Sequence, residues 1–126
     1  MKDIVSTDEA PAAVGAYSQA TTNGSLVFTA GQIPFTPDGE SKADASIAEQ
    51  TELALENVKA VLAEAGADLS DVLKTTVYLA DIDDFEEMNE TYGTYFEESM
   101  PARSAVQAGA LPKGVGVEIE AIATLE

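Results

Sequence analysis

From Val115 to Leu125 the chain alternates in character. Val115, Val117, Ile119, Ala121, Ala123 and Leu125 share one side, with Glu118 and Glu120 on the other. A period of two over this length specifies a strand with an apolar and a polar face. The apolar face must be covered by a second layer of structure. Ala102–Val106 and Val72–Leu79 also read as strands, the latter rich in β-branched residues. Ile4–Ser6 is a short first strand, and Leu26–Ala30 returns from an Asn23-Gly24 hairpin turn. Two segments have a helical period instead. Ser46-x-x-Glu49 is a capping box ahead of Ile47, Ala54, Leu55, Val58, Val61, Leu62 and Ala65, which fall on one helix face before a stop at Gly66. Asp81–Asp84 is an acidic helix start before Phe85, Met88, Tyr92, Tyr95 and Phe96.

The order of elements is strands, helix, strand, helix and two strands. It predicts one α+β domain over residues 1–126, a mainly antiparallel sheet with two helices on one face. The other face, expected to include Val27, Thr29 and the small residues around Ala105, is partly apolar and predicts self-association.

Composition narrows the chemistry. The chain contains no cysteine and no histidine. That excludes disulfides, thiolate nucleophiles, Ser-His-Asp and Cys-His arrangements and the usual zinc or iron ligands. No calcium-loop pattern occurs either, so no metal site is expected. The formal net charge of −17 argues against nucleic acid as a partner. No apolar run approaches the roughly 18 residues of a membrane span. With no secretory signal pattern at the start, a cytoplasmic protein is expected. Against 23 acidic side chains stand five lysines and one arginine, a balance that predicts stabilisation by high salt.

The one arginine is Arg103, in Pro101-Ala102-Arg103-Ser104. If Ala102–Val106 and the final strand form an antiparallel hairpin centred near Ala110 and Leu111, Arg103 lies roughly opposite Glu118. A guanidinium grips a carboxylate with two parallel hydrogen bonds, and a neighbouring carboxylate can place or deprotonate water. Their proximity would lower the Glu118 pKa, whereas burial would raise it. A cross-strand salt bridge at an interface is the alternative reading of the same pair. Glu120 reads as the structural member of the acidic pair, Tyr92, Tyr95 and Phe96 as core.

Gly15-Ala16-Tyr17-Ser18-Gln19, Ala30-Gly31-Gln32-Ile33-Pro34, Met88-Asn89-x-x-Tyr92, Pro101-Ala102-Arg103-Ser104 and Leu111-Pro112-x5-Glu118-Ile119-Glu120-Ala121-Ile122-Ala123 occur in this order. Together they resemble the Rid (YjgF-type) reactive imine deaminases over essentially the whole chain. The resemblance implies a chorismate-mutase-like fold and a homotrimer with clefts between subunits. It also implies hydrolysis of 2-imino acids, such as 2-iminobutanoate and 2-iminopropanoate, to 2-oxo acids and ammonia. No cofactor is implied, since pyridoxal phosphate belongs to the enzymes that produce the imines. Carried over, Arg103 would hold the substrate carboxylate and Glu118 would position or activate water. Tyr17 would line the cleft mouth, Gly31 and Ala105 would act through backbone groups, and Asn89 would shape the wall. Ala30 replaces a frequent serine, Ala105 a frequent cysteine and Ala16 the usual proline. A non-catalytic trimer that binds small carboxylates, or a chaperone-like protein, is the alternative.

Overall fold

In the computed structural model, which describes residues 1–125, six strands build one sheet. They are β1 (Asp3–Val5), β2 (Ala20–Thr22), β3 (Leu26–Thr29), β4 (Val72–Leu79), β5 (Ala102–Gln107) and β6 (Val117–Thr124). Helix α1 (Ile47–Ala65) lies between β3 and β4, and α2 (Phe85–Tyr95) between β4 and β5. Among the described residues no helix is long and apolar enough to cross a membrane.

The capping box forms as the sequence predicts. Ser46 Oγ accepts from Glu49 N at 3.1 Å and Glu49 Oε1 accepts from Ser46 N at 3.4 Å. Gly66 closes α1 with φ of 95°, a left-handed conformation that a side chain resists. From α1, Leu55, Val58, Val61 and Leu62 are fully buried against Val27, Val77, Leu79, Val117, Ile119 and Ala123 of the sheet. Each such side chain contributes roughly 1.5–3 kcal/mol on burial, so this apolar layer is the main source of stability.

The strand order is β1-β2-β3-β6-β4-β5. Every pairing is antiparallel except β4–β5, which is parallel. The expected hairpin between β5 and β6 is therefore absent, because β4 lies between them. Arg103 pairs with Thr75, and Glu118 pairs with Tyr78. The cause is α2. A helix joining two strands returns the chain to the same end of the sheet, which favours parallel neighbours. The connection 108–116 then steps across β4, turning at Lys113, whose φ is 60°.

Residues in register share a face, and the faces follow from burial. Val27, Thr29, Thr75, Val77 and Ala105 lie on the helix-covered side, with Val27 fully buried and Ala105 packed against the core. The expectation that Val27, Thr29 and Ala105 belong to the uncovered face is corrected by this parity. The uncovered face carries the alternate residues: Ile4, Phe28 and Ile122 with Lys74; Glu120 with Thr76 and Ser104; Glu118 with Tyr78 and Val106. Ile4, Phe28 and Val106 are among its exposed apolar side chains.

Candidate active site

The candidate residues separate into two groups on opposite faces of the sheet. The first surrounds Glu118. The β3–β6 ladder pairs Phe28 with Ile122, yet pairing resumes at Gln32 with Ile119. One extra residue is thereby accommodated on the β3 side, a bulge that turns Gly31 towards β6. Gln32 N donates to Ile119 O at 2.7 Å and Ile119 N to Gln32 O at 3.0 Å, which fixes the bulge from its far side. Gly31 sits so close to Glu118 that a β-carbon there would collide with the carboxylate.

A cavity of about 440 Å³ opens here, lined among others by Tyr17, Ala30, Gly31, Phe35, Lys113 and Glu118. Tyr17 is half-exposed at this cavity. Its segment leaves Gly15, whose φ of 115° requires glycine. Burial raises the Glu118 pKa above the ordinary carboxylate value, and the nearby charge of Glu120 raises it further. Arg103 takes no part in that shift within one protomer. The balance between burial and guanidinium is thus decided by topology, since the two groups lie on different faces. Glu120 faces the same side as Glu118, and burial first, then the charges of Glu120 and Glu118, raise the Tyr78 pKa.

The second group surrounds Arg103, at the β5 edge on the helix side. Arg103 Nη1 donates to Asn89 Oδ1 at 2.8 Å. Its guanidinium carbon lies 4.7 Å from the Tyr92 ring centroid and 5.3 Å from that of Phe85. Ala105 follows two residues along the same strand and face. Among the described residues Arg103 has no ion pair; the pair that forms is Lys42–Glu40 at 3.8 Å, on the surface. Burial raises the Tyr92 pKa, opposed by its hydrogen bond to Thr75 and by the Arg103 charge, so Tyr92 stays a neutral phenol at neutral pH.

Sequence reasoning missed one buried organiser of the first group, Gln19. Its Oε1 accepts from Thr7 N at 2.6 Å, and its Nε2 donates to Pro11 O at 2.8 Å and Thr7 O at 3.1 Å. Gln19 thereby ties down the segment that supplies Pro11, Ala12 and Val14 to the cavity wall. In the sequence Lys113 is only part of a turn, yet it lines the cavity. The inclusion of Gln19 in a motif was its only signal. Nothing in a linear pattern separates a buried glutamine from a solvated one.

Residues 7–125 match the family described as endoribonuclease L-PSP, nearly the whole chain. The chain belongs to this family, the Rid (YjgF-type) proteins. This Rid protein is 51% identical over 126 residues, the full length of both chains, to a RutC family protein of Pyrococcus horikoshii. It is 47% identical to the rat 2-iminobutanoate/2-iminopropanoate deaminase, over 98% of this chain and 90% of that one. The crystal structure of Escherichia coli TdcF with bound serine superposes with a TM-score of 0.91 at 46% identity, covering 97% of this chain and 98% of TdcF. The α+β fold is thus the Rid fold, and the family includes reactive intermediate deaminases.

Proposed function

We propose that this Rid protein hydrolyses 2-imino acids, 2-iminobutanoate and 2-iminopropanoate among them, to 2-oxo acids and ammonia in clefts between protomers of a homotrimer. One observation carries the reading. A guanidinium with no carboxylate partner among the described residues stands on one face of the sheet, and a carboxylate of raised pKa stands in a cavity on the other. Neither half is a deaminase site alone. Joining the Arg103 edge of one protomer to the Glu118 cavity of the next supplies an anion clamp and a base together. The apolar residues of the uncovered face, Phe28 and Val106 among them, give such an assembly something to bury.

In that cleft Arg103 takes the substrate carboxylate through paired N–H donors, which fixes the imine carbon in place. Asn89, by holding Nη1, shapes the wall. Tyr17 flanks the mouth, and backbone groups of Gly31 and Ala105 meet the imine nitrogen side. Glu118 accepts a proton from water as the water oxygen bonds to the iminium carbon. The same carboxyl returns that proton to nitrogen; as the C–N bond breaks with its electron pair leaving on nitrogen, Glu118 takes the remaining hydroxyl proton and passes it to the departing ammonia, and 2-oxo acid and ammonium leave. Water and iminium are thereby converted with atoms and charge conserved. A carboxyl whose pKa lies above the ordinary range is a stronger base than a solvated one. The protein with 47% identity that is named for this activity, and the TdcF structure that holds a small amino acid, support the substrate class.

Ala30 favours a second reading. It lines the cavity and brings no hydroxyl to it, as suits a trimer that binds small carboxylates and does not turn them over. The net charge of −17 and the lack of histidine weigh against RNA as substrate.

The experiment couples a threonine dehydratase to this protein and follows 2-oxobutanoate release. Arg103→Ala and Glu118→Ala are each expected to be inactive. Refolded together, they regain up to about a quarter of wild-type turnover, because random mixing pairs an intact Arg103 with an intact Glu118 in that share of clefts. Mixtures as inactive as their parents would refute the shared cleft. A wild type that binds 2-oxobutanoate without accelerating imine hydrolysis would establish the binding reading instead.

A further inference from the structure

Arg103 is the single arginine of a chain with 23 acids, yet aromatic rings surround it and no carboxylate does among the described residues. The nearer ring, Tyr92, is itself anchored. Its hydroxyl shares a buried hydrogen bond of 2.7 Å with Thr75 Oγ1. Thr75 is the residue beside Arg103 across the β4–β5 ladder. A strand neighbour, a helix aromatic and the cation therefore close a small circuit across three elements. Asn89 adds one in-plane contact, at Nη1.

The chemistry of this arrangement differs from that of an ion pair. Guanidinium N–H bonds lie in the plane of the group, whereas the rings contact its faces or sit near it without accepting those hydrogens. Aromatic neighbours thus restrain the cation while leaving its charge and its donors available. A carboxylate partner would consume both. With Asn89 accepting one of the five N–H groups, four remain, including the whole Nε–Nη2 edge.

We propose that Tyr92, tethered by Thr75 and assisted by Phe85 and Asn89, is a positioning residue that aims the Arg103 guanidinium at the substrate carboxylate. The identity of that carboxylate rests on the deaminase reading; the aiming of the guanidinium does not. Buried aromatics at this spacing ordinarily serve the core alone, so the test needs readouts that core packing does not move.

A single arginine gives a single side-chain Nε–H resonance in protein labelled with 15N-arginine. In the wild type this resonance is expected upfield of free arginine, shifted by the ring currents, and to move on titration with 2-oxobutanoate. Tyr92→Leu should return it towards the free position and weaken 2-oxobutanoate binding about ten-fold. KM for the imine should rise by a similar factor, with kcat altered by less than about two-fold. Tyr92→Phe keeps the ring and should hold both the resonance and the affinity within about three-fold of wild type.

Tyr92 is buried, so Tyr92→Leu carries a risk to folding. Phe85→Leu and Asn89→Ala, at partly exposed and exposed positions, then carry the test, each weakening binding about three-fold and displacing the resonance. A wild-type resonance at the free-arginine position overturns the proposal. So does unchanged 2-oxobutanoate affinity in every folded variant. If the wild type binds 2-oxobutanoate as described and hydrolyses no imine, the deaminase reading fails while the binding data support the positioning role.

Discussion

Gly31 lies against the carboxylate of Glu118 with no room for a β-carbon between them. The bulge in the β3–β6 pairing creates this approach, so a backbone irregularity sets where the carboxylate rests. The obstructed atoms belong to the far end of the Glu118 side chain, which can swing aside without unfolding the sheet.

Gly31→Ala is therefore expected to displace the carboxylate and to leave the fold in place. Turnover should fall about 100-fold, the usual consequence of an ångström-scale misplacement of a reacting group. Steady-state kinetics beside a thermal melt check this, and unchanged kcat/KM would show that the approach has no functional weight.

Arg103→Lys should be nearly as damaging as Arg103→Ala. Lysine preserves the charge and loses both the planar fork and its stacking on Tyr92. Each is expected to lower kcat/KM by at least about 100-fold, since each loses a charge-assisted hydrogen-bond pair. A lysine variant retaining most of the activity would mean that charge alone suffices.

The pH dependence follows from Glu118. Burial first and Glu120 second raise its pKa above the ordinary 4.5. The acid limb of activity should lie above that value, because the carboxylate form is the base. Glu120→Gln removes the second cause and should move the limb to lower pH. Stability has the opposite sense. A raised folded-state pKa gives a contribution that is complete below the unfolded pKa and disappears as pH rises through the folded one. Glu118→Gln should therefore melt above wild type at pH 7, with the advantage shrinking as pH falls through the raised folded-state pKa and gone below the ordinary 4.5. Melting curves across that range decide the sign.

Salt should stabilise the protein. At a net charge of −17, with the surface pair Lys42–Glu40 at 3.8 Å as the ion pair among the described residues, repulsion between acids is left to the solvent to screen. The melting midpoint should climb from dilute buffer to molar KCl, and a midpoint indifferent to salt would contradict this.

Val106→Asp places a charge on the uncovered face, in the row of Tyr78 and Glu118 and away from the core. Light scattering is expected to give a trimer mass for the wild type and a smaller species for the variant. Deamination should be lost with the assembly. Retained activity in a monomer would refute the shared cleft.

What the chain determined by itself is local. Alternation from Val115 onwards, the Ser46–Glu49 cap, Gly66 and the Asn23-Gly24 turn each depend on neighbours within a few residues, and each element formed at its expected place. The motif order, Tyr17 through Glu118, was equally legible. The partners of β5 and β6 were not, because strand pairing depends on what lies between them in space, and α2 sent β5 to the far side of β4. That one insertion moved Arg103 and Glu118 to opposite faces and released the Glu118 pKa from the guanidinium. It also placed Thr75, Tyr92 and Asn89 around the cation. Side-chain period reports which residues share a face within one strand; only the packed sheet decides which strands stand side by side.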